Sequence, residues 1–293
     1  MSRIPVLCAL AISAALLLPS AAAAATKSQF YVSLGDSYAA GYQATGVGTG
    51  KNTRNGFAYQ VPGLAAKRGY KLKLVNFGCG GATSTSILTG KVAADAKCKG
   101  PGAPAYTGTQ VGAAEKFLKA NRGKVGLMTV SIGGNDVTAC ARAANAVDCV
   151  ATAIPKLEKN LAVLLKRLRA AAGPKVRIVG ITYPDVILGA WVGENPNQDL
   201  AKLSVAAFQS LMNPALKKGY EKVGGRFVDV TKATGAYTPL EQTTTTAEYG
   251  TIPVAVAEAC RLSFYCNFRD IHATTEGYRI IADMVAKTLP RRG

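Results

Sequence analysis

The feature that most constrains the fold is a set of five short apolar runs, most of them closed by glycine or proline. They are Phe30 to Leu34, Lys71 to Phe77, Lys124 to Ile132, Lys175 to Thr182 and Arg226 to Val230. In most of them the apolar residues are near-continuous rather than strictly alternating. A strand with one wet face alternates apolar and polar positions, whereas a strand buried on both faces does not. The runs therefore predict strands inside a parallel sheet.

Parallel strands need long crossovers, and the intervening segments supply them. Leu157, Leu161, Leu164, Leu165 and Leu168 share one helical face, with Lys159, Lys166, Arg167 and Arg169 on the remainder. Gly173-Pro174 ends this helix, and its leucine stripe is read as core packing. Ala201 to Met212 predicts a second helix, which Pro214 should interrupt. A last helix spans Glu276 to Leu289, with Tyr278, Ile281, Ala282 and Val285 on one side. Strand–helix alternation implies an α/β fold of three layers, α/β/α, with right-handed crossovers. Thr231 to Arg269 reads as a long irregular loop containing a Thr243–Thr246 run and a short helix at Ile252 to Arg261. Loops of that length in a compact domain are often functional. A 48% hydrophobic content excludes a disordered chain.

The N-terminus reads separately. Arg3, the apolar stretch Ile4 to Pro19 and the small residues Ala21 to Ala25 form the pattern of a secretory signal peptide over residues 1–25. The apolar stretch is short for a membrane span. Residues 26–293 are then one secreted domain, expected to be a monomer. Cys8 falls in the leader and is read as incidental. Six cysteines remain, and an even number in an exported chain implies three disulfides. Many pairings are open; spacing favours the sequential one, Cys79–Cys98, Cys140–Cys149 and Cys260–Cys266. No close C-x-x-C pair suggests zinc, and no metal or other cofactor is expected.

Ligands of open parallel sheets sit beyond the carboxyl ends of the strands. The first run is followed by Gly35-Asp36-Ser37-Tyr38. The second is followed by Gly78-Cys79-Gly80-Gly81-Ala82-Thr83, and the third by Gly133-Gly134-Asn135-Asp136. Asp270-Ile271-His272 precedes the last helix. A serine hydroxyl needs an adjacent base to become a nucleophile. Ser37 is the candidate, and His272 is the only histidine in the chain. A developing oxyanion needs fixed donors, which the Ser37 and Gly81 backbone N–H groups and the Asn135 amide can supply. Asp270 is the nearest carboxylate to orient the imidazolium. Each short block alone is also an ordinary turn; the specific signal is all four, in this order, at strand ends.

Together these blocks resemble the SGNH hydrolases, a branch of the GDSL esterases and lipases, across residues 35 to 278. The resemblance implies a Ser37 nucleophile, a His272 base and an oxyanion hole from Ser37, Gly81 and Asn135. It also implies a flavodoxin-like sheet of about five parallel strands and no metal. The six-cysteine arrangement is similar to that of secreted actinobacterial members. One block departs from the family pattern, which places its acid three residues before the histidine. Here that position is Arg269, and Asp270 lies two before. Either Asp270 reaches the imidazole from a loop that is not extended, or a backbone carbonyl near Phe268 or Arg269 orients it, leaving a Ser–His dyad.

The expected activity is hydrolysis of carboxylic (acyl) esters, of lipids or of small acyl groups. Two rival readings are a non-catalytic secreted module binding the cell envelope or glycans, and a transacylase using the same site. Tyr38, Tyr42, Trp191, Tyr249, Phe264 and Tyr265 are candidates to line a pocket, though most scattered aromatics pack in cores. The net charge of +18 invites nucleic acid as a partner, but no nucleic-acid motif accompanies it and export argues against it. The charge reads instead as a solvated surface with weak attraction to an anionic envelope.

Overall fold

The computed structural model of the chain describes residues 27–90, 98 and 100–292. The leader, residues 1–25 with Cys8, lies outside the described residues. In chain order the first half comprises β1 (Gln29–Gly35), α1 (Ser37–Ala40), β2 (Tyr42–Gly46), β3 (Thr49–Asn52), α2 (Phe57–Ala66), β4 (Leu72–Asn76), α3 (Ser86–Thr89), α4 (Gln110–Ala120), β5 (Val125–Ser131) and α5 (Gly134–Thr138). The second half comprises α6 (Ala146–Ala172), β6 (Arg177–Ile181), α7 (Gln198–Ala207), α8 (Asn213–Glu221), β7 (Arg226–Val228), α9 (Val230–Ala233), β8 (Thr243–Thr246), β9 (Gly250–Pro253), α10 (Val254–Leu262), α11 (Tyr265–Phe268) and α12 (Thr275–Lys287).

The five apolar runs form one parallel sheet of order β4-β1-β5-β6-β7. Val32 pairs with Val75 on one side and Met128 on the other, and Thr129 pairs with Val179. Tyr31, Val32, Leu34, Leu127, Met128 and Val130 are fully buried, which accounts for the near-continuous apolar stretches of β1 and β5; the buried Ser33 and Thr129 that interrupt them are satisfied by hydrogen bonds to each other and to the Tyr31 hydroxyl. The crossover from β1 through α2 to β4 runs one way along the sheet; the three through α4, α6 and α8 run the other. With right-handed crossovers, α2 therefore lies on one face and α4, α6 and α8 on the opposite one. The helix contacts agree: α12 packs on α2, while α6 packs on both α4 and α8. The architecture is the three-layer α/β/α sandwich. Leu157, Leu161, Leu164, Leu165 and Leu168 turn inward from α6, and Gly173 caps its C-terminus.

Two expectations are corrected. Pro214 does not interrupt a helix. The chain leaves α7 through a π-helical turn, Phe208–Met212, and Pro214 sits in the first turn of α8. Proline is tolerated there because it lacks a donor where a helix start leaves donors unpaired. Thr231 to Arg269 is not irregular either. It holds α9, the β8–β9 hairpin, α10 and α11, and the Thr243–Thr246 run is an exposed strand paired to Gly250–Pro253. The expected short helix is α10. These segments pack around a second small core of Leu188, Val192, Ala201, Ala236, Ile252, Ala255, Val256 and Ala259. Disulfides join Cys79 to Cys98, Cys140 to Cys149 and Cys260 to Cys266.

Candidate active site

The strand ends bring the chemistry-bearing blocks together. β1 closes at Gly35, whose φ is 135°; a Cβ there would lie 1.9 Å from the Ser131 carbonyl oxygen of neighbouring β5. Glycine alone allows this close approach. Asp36 then caps α1, accepting a hydrogen bond from the Tyr38 N–H at 3.0 Å. The buried carboxylate also accepts from the Tyr183 hydroxyl at 2.5 Å and from Ser131 Oγ at 3.4 Å. Burial pushes the Asp36 carboxyl up to about 6, against the opposing pull of Tyr183, the Tyr38 amide, His272 and Ser131. The cap sets the start of α1, and Ser37 is the first residue of that helix.

His272 Nε2 stands 2.7 Å from Ser37 Oγ. On the other side of the ring, Nδ1 stands 2.7 Å from Asp270 Oδ1, and the same oxygen accepts the His272 backbone N–H at 2.9 Å. The loop is thus not extended at Asp270. Burial alone would raise the Asp270 carboxyl, but the His272 ring, its charge and its amide together outweigh this and hold it below its usual range. Tyr42 packs against the imidazole at 4.4 Å between ring centres and Tyr38 at 5.8 Å. The Tyr38 hydroxyl donates to the Ile271 carbonyl at 2.7 Å. The remaining candidate aromatics serve elsewhere: Trp191 and Tyr249 pack on the second core, Phe264 stacks on Phe268, and Tyr265 lies under the Arg269 guanidinium.

The second and third blocks are bolted to each other. Asp136 accepts from the Ser84 amide at 2.8 Å and from its hydroxyl at 2.5 Å. Asn160 of α6 donates to Ser84 Oγ and Thr85 Oγ1, each at 3.0 Å. Asn135 Nδ2 donates one hydrogen to the Ala82 carbonyl at 2.9 Å; an amide carries a second. The Ser37 and Gly81 backbone N–H groups donate to no acceptor among the described residues.

An apolar cleft opens beside Ser37 and Asn135. Val137, Val150, Ile187, Leu203, Phe208 and Met212 line it. A separate, more polar cleft is lined by Asn135, Thr138, Arg269 and Asp270. Among the described residues no group of three or more His, Cys, Asp or Glu side chains is placed to hold a metal ion. Sequence reasoning missed the Asp36–Tyr183 contact and the apolar cleft. Tyr183 follows the fourth apolar run directly, and that position was its only signal; the cleft's named residues come from α5, α6, α7, the π turn and the 3₁₀ segment Val186–Trp191 and share no motif.

The family model described as "GDSL-like Lipase/Acylhydrolase family" matches residues 33–280. A search of curated proteins returns no match. Among solved structures, the chain is similar to the phospholipase A1 of Streptomyces albidoflavus NA297, with 20% identity, a TM-score of 0.51, and coverage of 89% of this chain and 98% of that one. It is also similar to the extracellular lipase of Streptomyces rimosus, with 19% identity, a TM-score of 0.53, and coverage of 89% and 99%. At these identities the two likenesses establish the fold.

Proposed function

The chain belongs to the GDSL-like lipase/acylhydrolase family of carboxylic ester hydrolases, and we propose that it hydrolyses acyl esters through an acyl-enzyme on Ser37. The observation that carries this reading is the Ser37–His272–Asp270 line, with 2.7 Å at each junction. An ionised Asp270 accepts a hydrogen bond from Nδ1–H, which leaves the Nε2 lone pair facing Ser37 Oγ. In this mechanism Oγ attacks the ester carbonyl as Nε2 takes its proton. The Ser37 and Gly81 N–H groups and the free hydrogen of Asn135 Nδ2 receive the oxyanion. Nε2–H then protonates the leaving alcohol. A water that loses its proton to Nε2 attacks the acyl-enzyme, releases the acid and restores Ser37 Oγ–H. The acyl part occupies the apolar cleft, which borders Ser37 and Asn135, and the alcohol leaves past the polar cleft by Asp270.

Labelling with a fluorophosphonate tests the reading. Wild type takes up the label, Ser37→Ala does not, and His272→Ala loses roughly a thousandfold or more in kcat, since no second imidazole is present to substitute. Absence of label on wild type, or its persistence on Ser37→Ala, refutes the mechanism. Product analysis with added alcohol separates hydrolysis from acyl transfer. The proposal includes export with removal of residues 1–25. Three disulfides suit an oxidising compartment, and among the described residues no helix is long and apolar enough to cross a membrane. N-terminal sequencing of protein from the culture medium checks this; a product still beginning at Met1 contradicts it.

A further inference from the structure

The loop that carries Asp270 and His272 is closed on itself. Phe264 N–H donates to the His272 carbonyl at 2.9 Å, and Ser263 pairs with Ala273 across an antiparallel bridge. Between these ties the chain makes the single helical turn α11 and then has to reverse. It reverses at Arg269, which at φ 53° and ψ 28° is the one non-glycine residue of positive φ among the described residues. Side chains disfavour this left-handed region. Its N–H donates to the Tyr265 carbonyl at 2.8 Å and ends α11. The next residue then turns back, so that one oxygen of Asp270 meets both the His272 amide and ring. A right-handed residue at 269 would instead extend α11 and carry Asp270 round the helix axis.

The Arg269 side chain is anchored as tightly as its backbone. Nη2 donates to the Val192 carbonyl at 3.0 Å and Nη1 to that of Gly189 at 3.4 Å. The guanidinium carbon lies 5.5 Å from the centre of the Tyr265 ring. Gly193 makes the room: its φ is 101°, and a Cβ there would stand 2.3 Å from Arg269 Nη2. The fork therefore ties the reversal to the 3₁₀ segment Val186–Trp191, two residues of which, Val186 and Ile187, line the apolar cleft.

We propose that Arg269 is a positioning residue: its left-handed backbone and anchored guanidinium hold the Asp270 carboxylate against His272 Nδ1, which lets an acid only two residues before the histidine orient it. The inference rests on the Ser37–His272–Asp270 mechanism above.

The test is a set of kcat and KM measurements on p-nitrophenyl butyrate, with melting curves to confirm folding. Arg269→Val, a β-branched residue ill suited to the left-handed region, lowers kcat by about tenfold with KM within about threefold. Arg269→Gly keeps the reversal while losing the anchor, and retains more activity than Arg269→Val. Asp270→Asn alone lowers turnover by about a hundredfold. In that background Arg269→Val costs less than about a further twofold, because the group it positions has already lost its charge. Gly193→Ala, which displaces the guanidinium from the far side, repeats the pattern and carries the test if Arg269→Val does not fold. Wild-type kcat in both Arg269→Val and Gly193→Ala overturns the proposal. So does an equal loss with and without Asp270→Asn, which marks a general structural role. A wild type that takes no fluorophosphonate label removes the mechanism itself, a failure distinct from these.

Discussion

Two buried carboxylates stand out among single residues. Asp36 and Asp185 are each about 1% exposed, and burial raises them from 3.8 to about 6 and about 7, respectively. Asp185 accepts from the Ile187 N–H at 3.2 Å, and its other oxygen stands 2.9 Å from Ser204 Oγ. Ser204 Oγ is also 2.8 Å from the Ala201 carbonyl, so a protonated Asp185 can donate to a serine that donates onward. A carboxyl raised by folding contributes stability that is present below its unfolded value and lost as pH rises through its folded one. For Asp185 that window runs from 3.8 to about 7, with an upper figure of about 4 kcal/mol. Asn mimics the protonated acid. Wild type should therefore lose melting temperature between pH 5 and pH 8, with part of that loss from Asp36, and Asp185→Asn should lose distinctly less. Parallel melting curves across this window would contradict the assignment.

The elements that build the cleft are held by covalent and helical geometry together. The Cys140–Cys149 disulfide ties the 3₁₀ turn Ala139–Arg142 to the start of α6, and Cys140, Ala146 and Val150 all line the apolar cleft. Closing so short a loop stabilises by roughly 2–3 kcal/mol. Cys140→Ser with Cys149→Ser should lose about that much in a urea melt. It should also raise KM for a laurate ester more than for an acetate ester; equal changes would mean that this wall does not hold the acyl chain. Elements differ in how openly the sequence announces them. The α6 stripe and the strands β1 and β5 are legible because burial leaves a direct period, or a continuous run, in the sequence. Helices α2 and α4 were not anticipated, since their mixed apolar and polar residues carry no comparably sharp pattern. The second core was hidden for a different reason: Leu188, Ala201 and Ile252 come from three segments that show no common period.

For the whole molecule, the net charge of +18, which becomes +17 when Arg3 leaves with residues 1–25, acts at a distance and independently of the site. Attraction to an anionic surface is screened over about 30 Å at 0.01 M salt and about 3 Å at 1 M. The protein should sediment with vesicles containing anionic phospholipid at 10 mM NaCl and be released at 0.5 M, with no binding to zwitterionic vesicles. Binding that survives high salt would point instead to apolar insertion, for which the exposed Val147 and Leu211, neighbours in sequence of cleft residues, are the candidates. No binding at low salt would remove the envelope attraction altogether.

The sequence by itself determined the layered fold, the three blocks at strand ends and the fourth just before the last helix. A strand buried on both faces is apolar at nearly every position, and the chain must turn where it leaves the sheet, so both requirements are written into consecutive residues. It left open which group faces the far side of His272. That was decided by one backbone angle at Arg269 and by carbonyls of Gly189 and Val192, some eighty residues away in the chain. The raised carboxyls and the apolar cleft were likewise decided in three dimensions. Burial and distance between remote segments create them, and neither quantity is carried by local spacing.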